Sequence, residues 1–384
     1  MKRWGLLLLV AGLTGCSTVG DAVDKINPFS SSAPKVKPTE LTAIQPTAEV
    51  KLLWQASIGG AGEFVFTPAV VGKAVFAASK DGAIARFEEG RQVWRISAGQ
   101  PLSGGVGADA KTVAVGTLKG EVLAFDAETG KELWKARATS EILAAPAVGE
   151  GIVAARSGDA RIFAFEAADG RRRWVYQRST PALTLRTNAG LKITDRVIIA
   201  GFPGGKLVAV NSTNGAALWE GTVALPKGST ELERVADITS LPAVSGRYSC
   251  AAAFQGRVAC FDFNASGPLW AKELSSRAGL DMDDRQVYVS DDKGNVLAFE
   301  RDSGGSLWKQ DKLTNRGLSR PLVVGSRVVV ADSLGVVHVL RREDGAFAAR
   351  FTTDGSAVSA EPQRIPGGFL MQTRNGSLYA LSVE

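Results

Sequence analysis

Cys16, Cys250, Cys260 and His338 are the only thiols and the only imidazole in this chain of 384 residues, and their spacing narrows the chemistry open to it. No His/Cys cluster has metal-ligand spacing, no Gly-x-Ser-x-Gly nucleophile elbow occurs, and GFPGGK at 201–206 lacks the spacing of a phosphate loop. His338 lies in the apolar strand VVHVL (336–340), which predicts a core or rim residue rather than a ligand or a base. Cys250 and Cys260 flank a Gln255-Gly256 hairpin, and an oxidising compartment bridges any pair whose geometry allows it. A two-residue turn would pair Phe254 with Arg257 and send the sulfurs to opposite faces, whereas a three-residue turn would set them directly opposite. Either register fits the sequence. No catalytic residue, metal or cofactor is expected.

The third thiol ends a leader. MKRWGLLLLVAGLTGC carries two basic residues and an apolar run too short to span a bilayer, the form of a signal peptide over residues 1–15. Leu13-Thr14-Gly15-Cys16 resembles a bacterial lipobox, in which small residues admit the signal peptidase and the cysteine is diacylglycerylated. Cys16 is therefore the expected lipidation site. Ser17 stands where an aspartate would resemble the inner-membrane retention signal, so the expected destination is the outer membrane, at its periplasmic face. Residues 16–47 are rich in Ser, Pro, Thr and Lys with little to bury, and are expected to form a disordered tether about 30 Å in root-mean-square span.

Beyond residue 47 the chain repeats one unit. In GEVLAFDAETGKELWK (120–135), residues alternate at the period of a strand, DAETG supplies a tight turn, and a second strand ends on Trp134. Trp54, Trp94, Trp134, Trp174, Trp219, Trp270 and Trp308 stand 40, 40, 40, 45, 51 and 38 residues apart. A period near 40 with four short strands per unit is that of a propeller blade. Small-residue hairpins at 81–82, 119–120, 159–160, 204–205, 255–256, 293–294, 334–335 and 375–376 count eight units. In the seventh, Ala349 occupies the tryptophan position, and Phe347 or Phe351 is expected to fill the gap between blades. The eighth stops at SLYALSVE without a closing strand, while Trp54 in EVKLLWQAS (49–57) has no hairpin of its own. The expectation is an all-β fold: an eight-bladed β-propeller of four-stranded antiparallel blades over residues 48–384, with the last blade shared between the N- and C-terminal segments. Such closure removes the open edge of the ring.

Net charge is +6 and falls to +4 once Lys2 and Arg3 leave with the leader; the basic residues are scattered, which argues against a nucleic-acid partner. Function is then placed by the connections. Most crossings from one blade to the next are short, but VYQRSTPALTLRTNAG after Trp174 and EGTVALPKGSTELERVADITSLPAV after Trp219 are extended. Crossings of one type at successive blades emerge side by side, and long loops on a rigid ring commonly carry function. Leu183 and Leu185 at strand spacing beside Arg186 suit an interface hot spot; packing of the two leucines back onto the blade is the alternative.

PALTLRT (181–187) and GSTELERVADI (228–238), together with the lipobox, tether and tryptophan-docked repeats, resemble the BamB family, propeller lipoproteins of the β-barrel assembly machinery of Gram-negative outer membranes. The resemblance spans the chain. It implies a non-enzymatic scaffold that binds the periplasmic POTRA domains of BamA, with Leu183, Leu185, Arg186 and Asp237 at the contact, unfolded outer-membrane proteins as further partners, and the membrane reached through the lipid alone. Thr239 stands where the family pattern has a second acid, which removes one ionic contact. The same repeat builds pyrroloquinoline-quinone dehydrogenases, but this chain has no adjacent cysteine pair of the kind those enzymes carry. A third reading is a propeller that takes peptidoglycan or polysaccharide through its axial mouth, which exposed aromatic residues there would support.

Overall fold

The period-two alternation of each repeat produces a meander whose strands bury one residue in two against each neighbouring blade. The structure is a computed structural model and describes residues 37–384. In blade 2 the strands Gly104–Ala108, Thr112–Gly116, Glu121–Asp126 and Glu132–Arg137 pair antiparallel in order from the axis outward. Two turns of different chemistry connect the outer three. Gly120, at φ +78°, closes a turn by donating to Thr117 O. At the other end Asp126 Oδ1 accepts Thr129 N–H at 2.8 Å, and Gly130, at φ +74°, donates to Asp126 O. Left-handed backbone is the conformation that glycine enters without steric cost.

Eight such sheets form a ring. Blade 1 spans 69–97, and blades 2 to 7 span 104–137, 147–176, 191–222, 243–273, 279–310 and 322–352. Blade 8 is composite: Val50–Ser57 is its outermost strand, antiparallel to Ser377–Val383, with Val50 opposite Val383 and Ser57 opposite Ser377. Glu49 and Glu384 exchange backbone hydrogen bonds beyond the last pair. The chain thus closes on itself without an open seam. One feature escapes the repeat pattern. Val65–Phe66 leaves the crossing into blade 1 and pairs parallel with Gly104 and Gly105, adding a short fifth strand to the inner edge of blade 2.

Six of the eight blades are locked to the next by a tryptophan seated on a turn glycine. Trp94, Trp134, Trp174, Trp270 and Trp308 donate Nε1–H to the backbone carbonyls of Ala127, Ala167, Ser212, Arg301 and Arg342, each in the outer turn of the following blade. The indole lies over the turn glycine: a Cβ on Gly170 would come within 2.6 Å of Trp134, and one on Gly345 within 2.4 Å of Trp308. Trp54 covers Gly90 in the same way, so the N-terminal strand engages blade 1 as any other outer strand would. Trp219 is seated differently. Gly267 has open space around it, and the indole meets Phe261 and Phe263 edge-on, with centroids 5.1 Å apart.

The gap left by Ala349 divides the two candidate phenylalanines. Phe351 meets Tyr379 of blade 8 edge-on, while Phe347 faces His338 inside blade 7. His338 is fully buried, with Nε2 3.0 Å from Asp332 Oδ2, and Asp332 also accepts from Arg316 Nε at 2.6 Å. The histidine is therefore a core residue, and burial pushes its pKa down against the opposing pull of Asp332.

The lipidation site Cys16, the leader 1–15 and the tether up to residue 36 lie outside the described residues. The tether boundary at residue 47 needs correction. Residues 38–47 run along the ring, with Leu41 packed on the cluster between blades 6 and 7 and Thr47 N–H donating to Ala348 O. Leucine, isoleucine and two prolines in that stretch supply enough apolar surface to dock, which the overall composition of 16–47 conceals.

Closure and docking make two predictions. Deleting residues 48–58 removes the outer strand of blade 8 and is expected to abolish the cooperative thermal transition followed by circular dichroism. Trp134→Ala, which empties a buried inter-blade seat but leaves the ring closed, should cost about 3 kcal/mol or more in urea unfolding and retain a single transition.

Candidate interaction face

The direction of each outer strand decides where the long crossings emerge. Outer strands end beside the inner hairpin of their own blade: Ala138 N–H donates to Gly120 O, Val223 N–H to Gly205 O and Thr353 N–H to Gly335 O. All crossings and inner hairpins therefore share one face, and the turns beneath the tryptophans occupy the other. On the first face, the extended crossings 177–190 and 223–242 flank a single hairpin. Pro181 lies against Gly204, and the Ala224 carbonyl lies against Gly205 so closely that a Cβ there would approach it to 2.3 Å. Glycine is required at this position both for its φ of +70° and for that approach.

One buried carboxylate holds the two crossings together. Asp237 is 1% exposed, and its Oδ2 accepts Leu185 N–H at 2.7 Å while Oδ1 accepts Gly204 N–H at 3.0 Å. Arg156, buried below, donates Nη1–H to Gly201 O at 2.5 Å and lies over the Phe202 ring. Burial pushes the Arg156 pKa down to about 10, with the charge of Asp237 opposing the shift, so the guanidinium stays charged at neutral pH. A second tie joins Thr187 Oγ1 to Thr239 O at 3.0 Å, and Thr239 Oγ1 in turn donates to Arg277 O.

These contacts split the four residues singled out from the sequence. Leu183, 39% exposed, and Arg186, whose side chain is 58% exposed, face solvent. Leu185 is half-buried over a small cavity between the crossing, Ser157-Gly158 and Pro203. Asp237 departs from the expectation of a surface contact: it is an internal pin, and it bonds the backbone of Leu185 rather than Arg186. Arg186 Nε instead lies 3.4 Å from Glu141 Oε1 on blade 3's side of the face. The Glu141 carboxyl is held below its ordinary value, chiefly by the Ser140 hydroxyl and to a lesser degree by Arg186, against the effect of burial. Thr239 is buried with its hydroxyl engaged. Two exposed leucines on the second crossing, Leu225 at 56% and Leu232 at 71%, were not singled out from sequence. Leu232 stands alone in a polar segment, a pattern equally common in linkers, and Leu225 directly follows the apolar pair Val223-Ala224, which is buried.

Residues from successive crossings also rim a cavity of about 440 Å³ at the axis on this face, including Asn188, Thr239, Arg277, Arg320 and Val358. No aromatic side chain lines it among the described residues, so it lacks the stacking surface a polysaccharide site would use. Among the described residues no group of three His, Cys, Asp or Glu side chains is arranged to hold a metal, and no helix is long and apolar enough to cross a membrane.

The Cys250 turn takes the three-residue form. Ala253 N–H donates to Arg257 O, so Cys250 falls opposite Cys260 as a non-hydrogen-bonded pair with Cα atoms 4.1 Å apart. The structure joins the two sulfurs, deep between blades 5 and 6.

Eight four-stranded antiparallel sheets closed into a ring, with both long crossings on one face, define an eight-bladed β-propeller. The family follows from comparison with known proteins. The family model described as "Outer membrane protein assembly factor BamB" matches residues 80–310 and 292–384. The outer membrane protein assembly factor BamB of Bordetella pertussis is 45% identical over 98% of this chain and 96% of its own length, and that of Pseudomonas aeruginosa is 41% identical over 100% and 99%. The crystal structure of BamB from Moraxella catarrhalis superposes with a TM-score of 0.81 at 27% identity, covering 87% of this chain and all of that one. The chain belongs to the BamB family of outer membrane protein assembly factors. The quinohemoprotein alcohol dehydrogenase of Comamonas testosteroni shares the fold alone, with a TM-score of 0.69 at 13% identity over 86% of this chain and 76% of that one.

Two outcomes are expected. Denatured but unreduced protein should take up no alkylating reagent at Cys250 or Cys260, as read by mass spectrometry of the tryptic peptides. Asp237→Ala strands two backbone N–H groups and the buried Arg156 charge. It should cost about 1–3 kcal/mol in chemical denaturation and open residues 177–190 to limited proteolysis.

Proposed function

We propose that this chain is the propeller lipoprotein of the outer-membrane β-barrel assembly machinery, anchored through Cys16 at the periplasmic face of the outer membrane. It holds the POTRA domains of BamA on the face that carries the two long crossings. Family membership supports the assembly role. The observation that carries the site is the Asp237 clamp. By pinning the backbone at Leu185 it presents Leu183 and Arg186 outward on a rigid ring, so little conformational freedom remains to be lost on binding. Leu183 offers apolar surface for desolvation, and Arg186 offers a planar fork for carboxylates or carbonyls on the partner. Leu225 and Leu232 extend the apolar surface along the second crossing.

The activity is positioning. A ring of fixed geometry restrains a flexible string of domains, and unfolded outer-membrane proteins meet the assembled complex rather than a catalytic centre. The quinoprotein alternative has only the shared fold behind it, at 13% identity, whereas the family likeness spans the whole chain.

Truncation of a desolvated anchor costs about 2 kcal/mol or more, roughly thirtyfold in affinity. Leu183→Ala and Arg186→Ala should each eliminate co-purification with BamA from membrane extract while leaving the thermal midpoint of the ring unchanged. Leu185→Ala should lose binding and also lower that midpoint, because its side chain is half-buried. Normal recovery of BamA by both exposed-residue variants would place the interface elsewhere on the ring.

A further inference from the structure

Blade 7 differs from its neighbours at the two positions that face outward and across to the next blade. Where blade 2 has Leu133-Trp134 and blade 6 has Leu307-Trp308, blade 7 has Ala348-Ala349. The leucines are exposed, but Ala348 is fully buried. What covers it is the chain's own N-terminal segment: Thr47 N–H and Ala48 N–H both donate to Ala348 O, at 2.8 and 3.2 Å. Two small residues thus open a groove along the rim, and residues 38–48 fill it.

The segment is held along its length. Arg350 Nη1 donates to Thr42 O at 2.5 Å. Leu41 packs against the cluster that contains Leu313, Trp308, Leu318 and Phe347. Arg316, buried and bonded to the fully buried Asp332, directs Nη1 to Thr39 O at 2.8 Å, and Thr39 N–H donates to Thr314 O at 3.1 Å. A buried guanidinium is costly unless its donors are met. The strap supplies one of the acceptors that Arg316 uses.

The path has a direction. Ala348 stands at the start of the outer strand of blade 7, next to the turn face, whereas Thr314 belongs to the crossing from blade 6 to blade 7. Read from Ala48 back to Thr39, the strap climbs the height of the ring and leaves it on the crossing face, the face that carries Leu183 and Arg186.

We infer that residues 38–48 are a seated strap and an integral part of the propeller. The strap delivers the N-terminal tether to the crossing face, so that the ring is anchored from the side on which it holds its partner. The orientation rests on acylation at Cys16 as proposed above; the strap itself does not.

The test uses the full chain purified from membranes. Thermolysin, which cuts before Leu41 and Ile44, should leave the parent strap intact under conditions in which Leu41→Asp and Arg350→Ala are cleaved about tenfold faster or more, at a temperature well below the unfolding midpoint of each protein. Equal cleavage of parent and variants would overturn the strap. For orientation, the protein is bound to phosphatidylcholine vesicles carrying a lipid acceptor dye, with a donor at position 186 on the crossing face or 302 on the turn face. Greater energy transfer from 186 than from 302, lost in Leu41→Asp, is the expected result. Equal transfer from both sites in the parent would overturn the orientation. Failure to float with vesicles would overturn the acylation reading instead, while the cleavage result still judges the strap.

Discussion

A ring of sheets stands or falls on the contact between one blade and the next, and here that contact is an indole lying on a glycine. The tryptophan ring covers the left-handed turn residue of the following blade, and its Nε1–H satisfies a carbonyl in the same turn. The arrangement joins apolar burial to a polar bond that fixes the rotation of one blade against the next. It also explains why the turn residue is glycine. Left-handed backbone favours it, and the indole leaves no room for a Cβ. Blades that depart from the rule do so with compensation, through Phe261 and Phe263 around Trp219 and through Phe351 and the strap beside blade 7.

Two buried carboxylates hold the backbone of crossings and hairpins on this ring. Asp237 accepts two N–H groups from different segments near Arg156, and Asp332 collects His338, Arg316 and local backbone donors. The amides of Leu185 and Gly204, and of Leu334 in the hairpin after Asp332, have no strand partner and need acceptors that a sheet would otherwise provide. A carboxylate meets two such donors at once. The consequence on the crossing face is a division of labour: one residue fixes the loop from within, and Leu183 and Arg186 on that loop stay exposed.

The same ring serves unrelated ends, as its likeness to a quinohemoprotein dehydrogenase at 13% identity illustrates. Function in such folds belongs to what the ring carries. In this chain the additions are two lengthened crossings on one face and a strap on one rim, and neither disturbs the repeat that supports them.

Much of this was legible in the residues. Trp-to-Trp spacing, the hairpin count and the orphan Trp54 are local periodic signals, and they specify eight blades and a shared last blade because each repeat must bury its face against the next. The adjacency of the two long crossings follows from topology alone. The exposure of individual side chains does not. Asp237 looked like a surface acid beside a loop, yet it is buried because Leu185 and Gly204, 52 and 33 positions earlier in the chain, turn their amides toward it. The Cys250–Cys260 register depended on whether the Gln255 turn held two residues or three, and in the folded ring Gln255 takes a left-handed φ of +49° with Gly256 lying against Ala224 of the preceding crossing. The docking of residues 38–48 required the small residues at 348 and 349, more than 300 positions away. Periodicity is a property of neighbours in sequence and can be read there; burial is a property of neighbours in space, and only the closed ring brought them together.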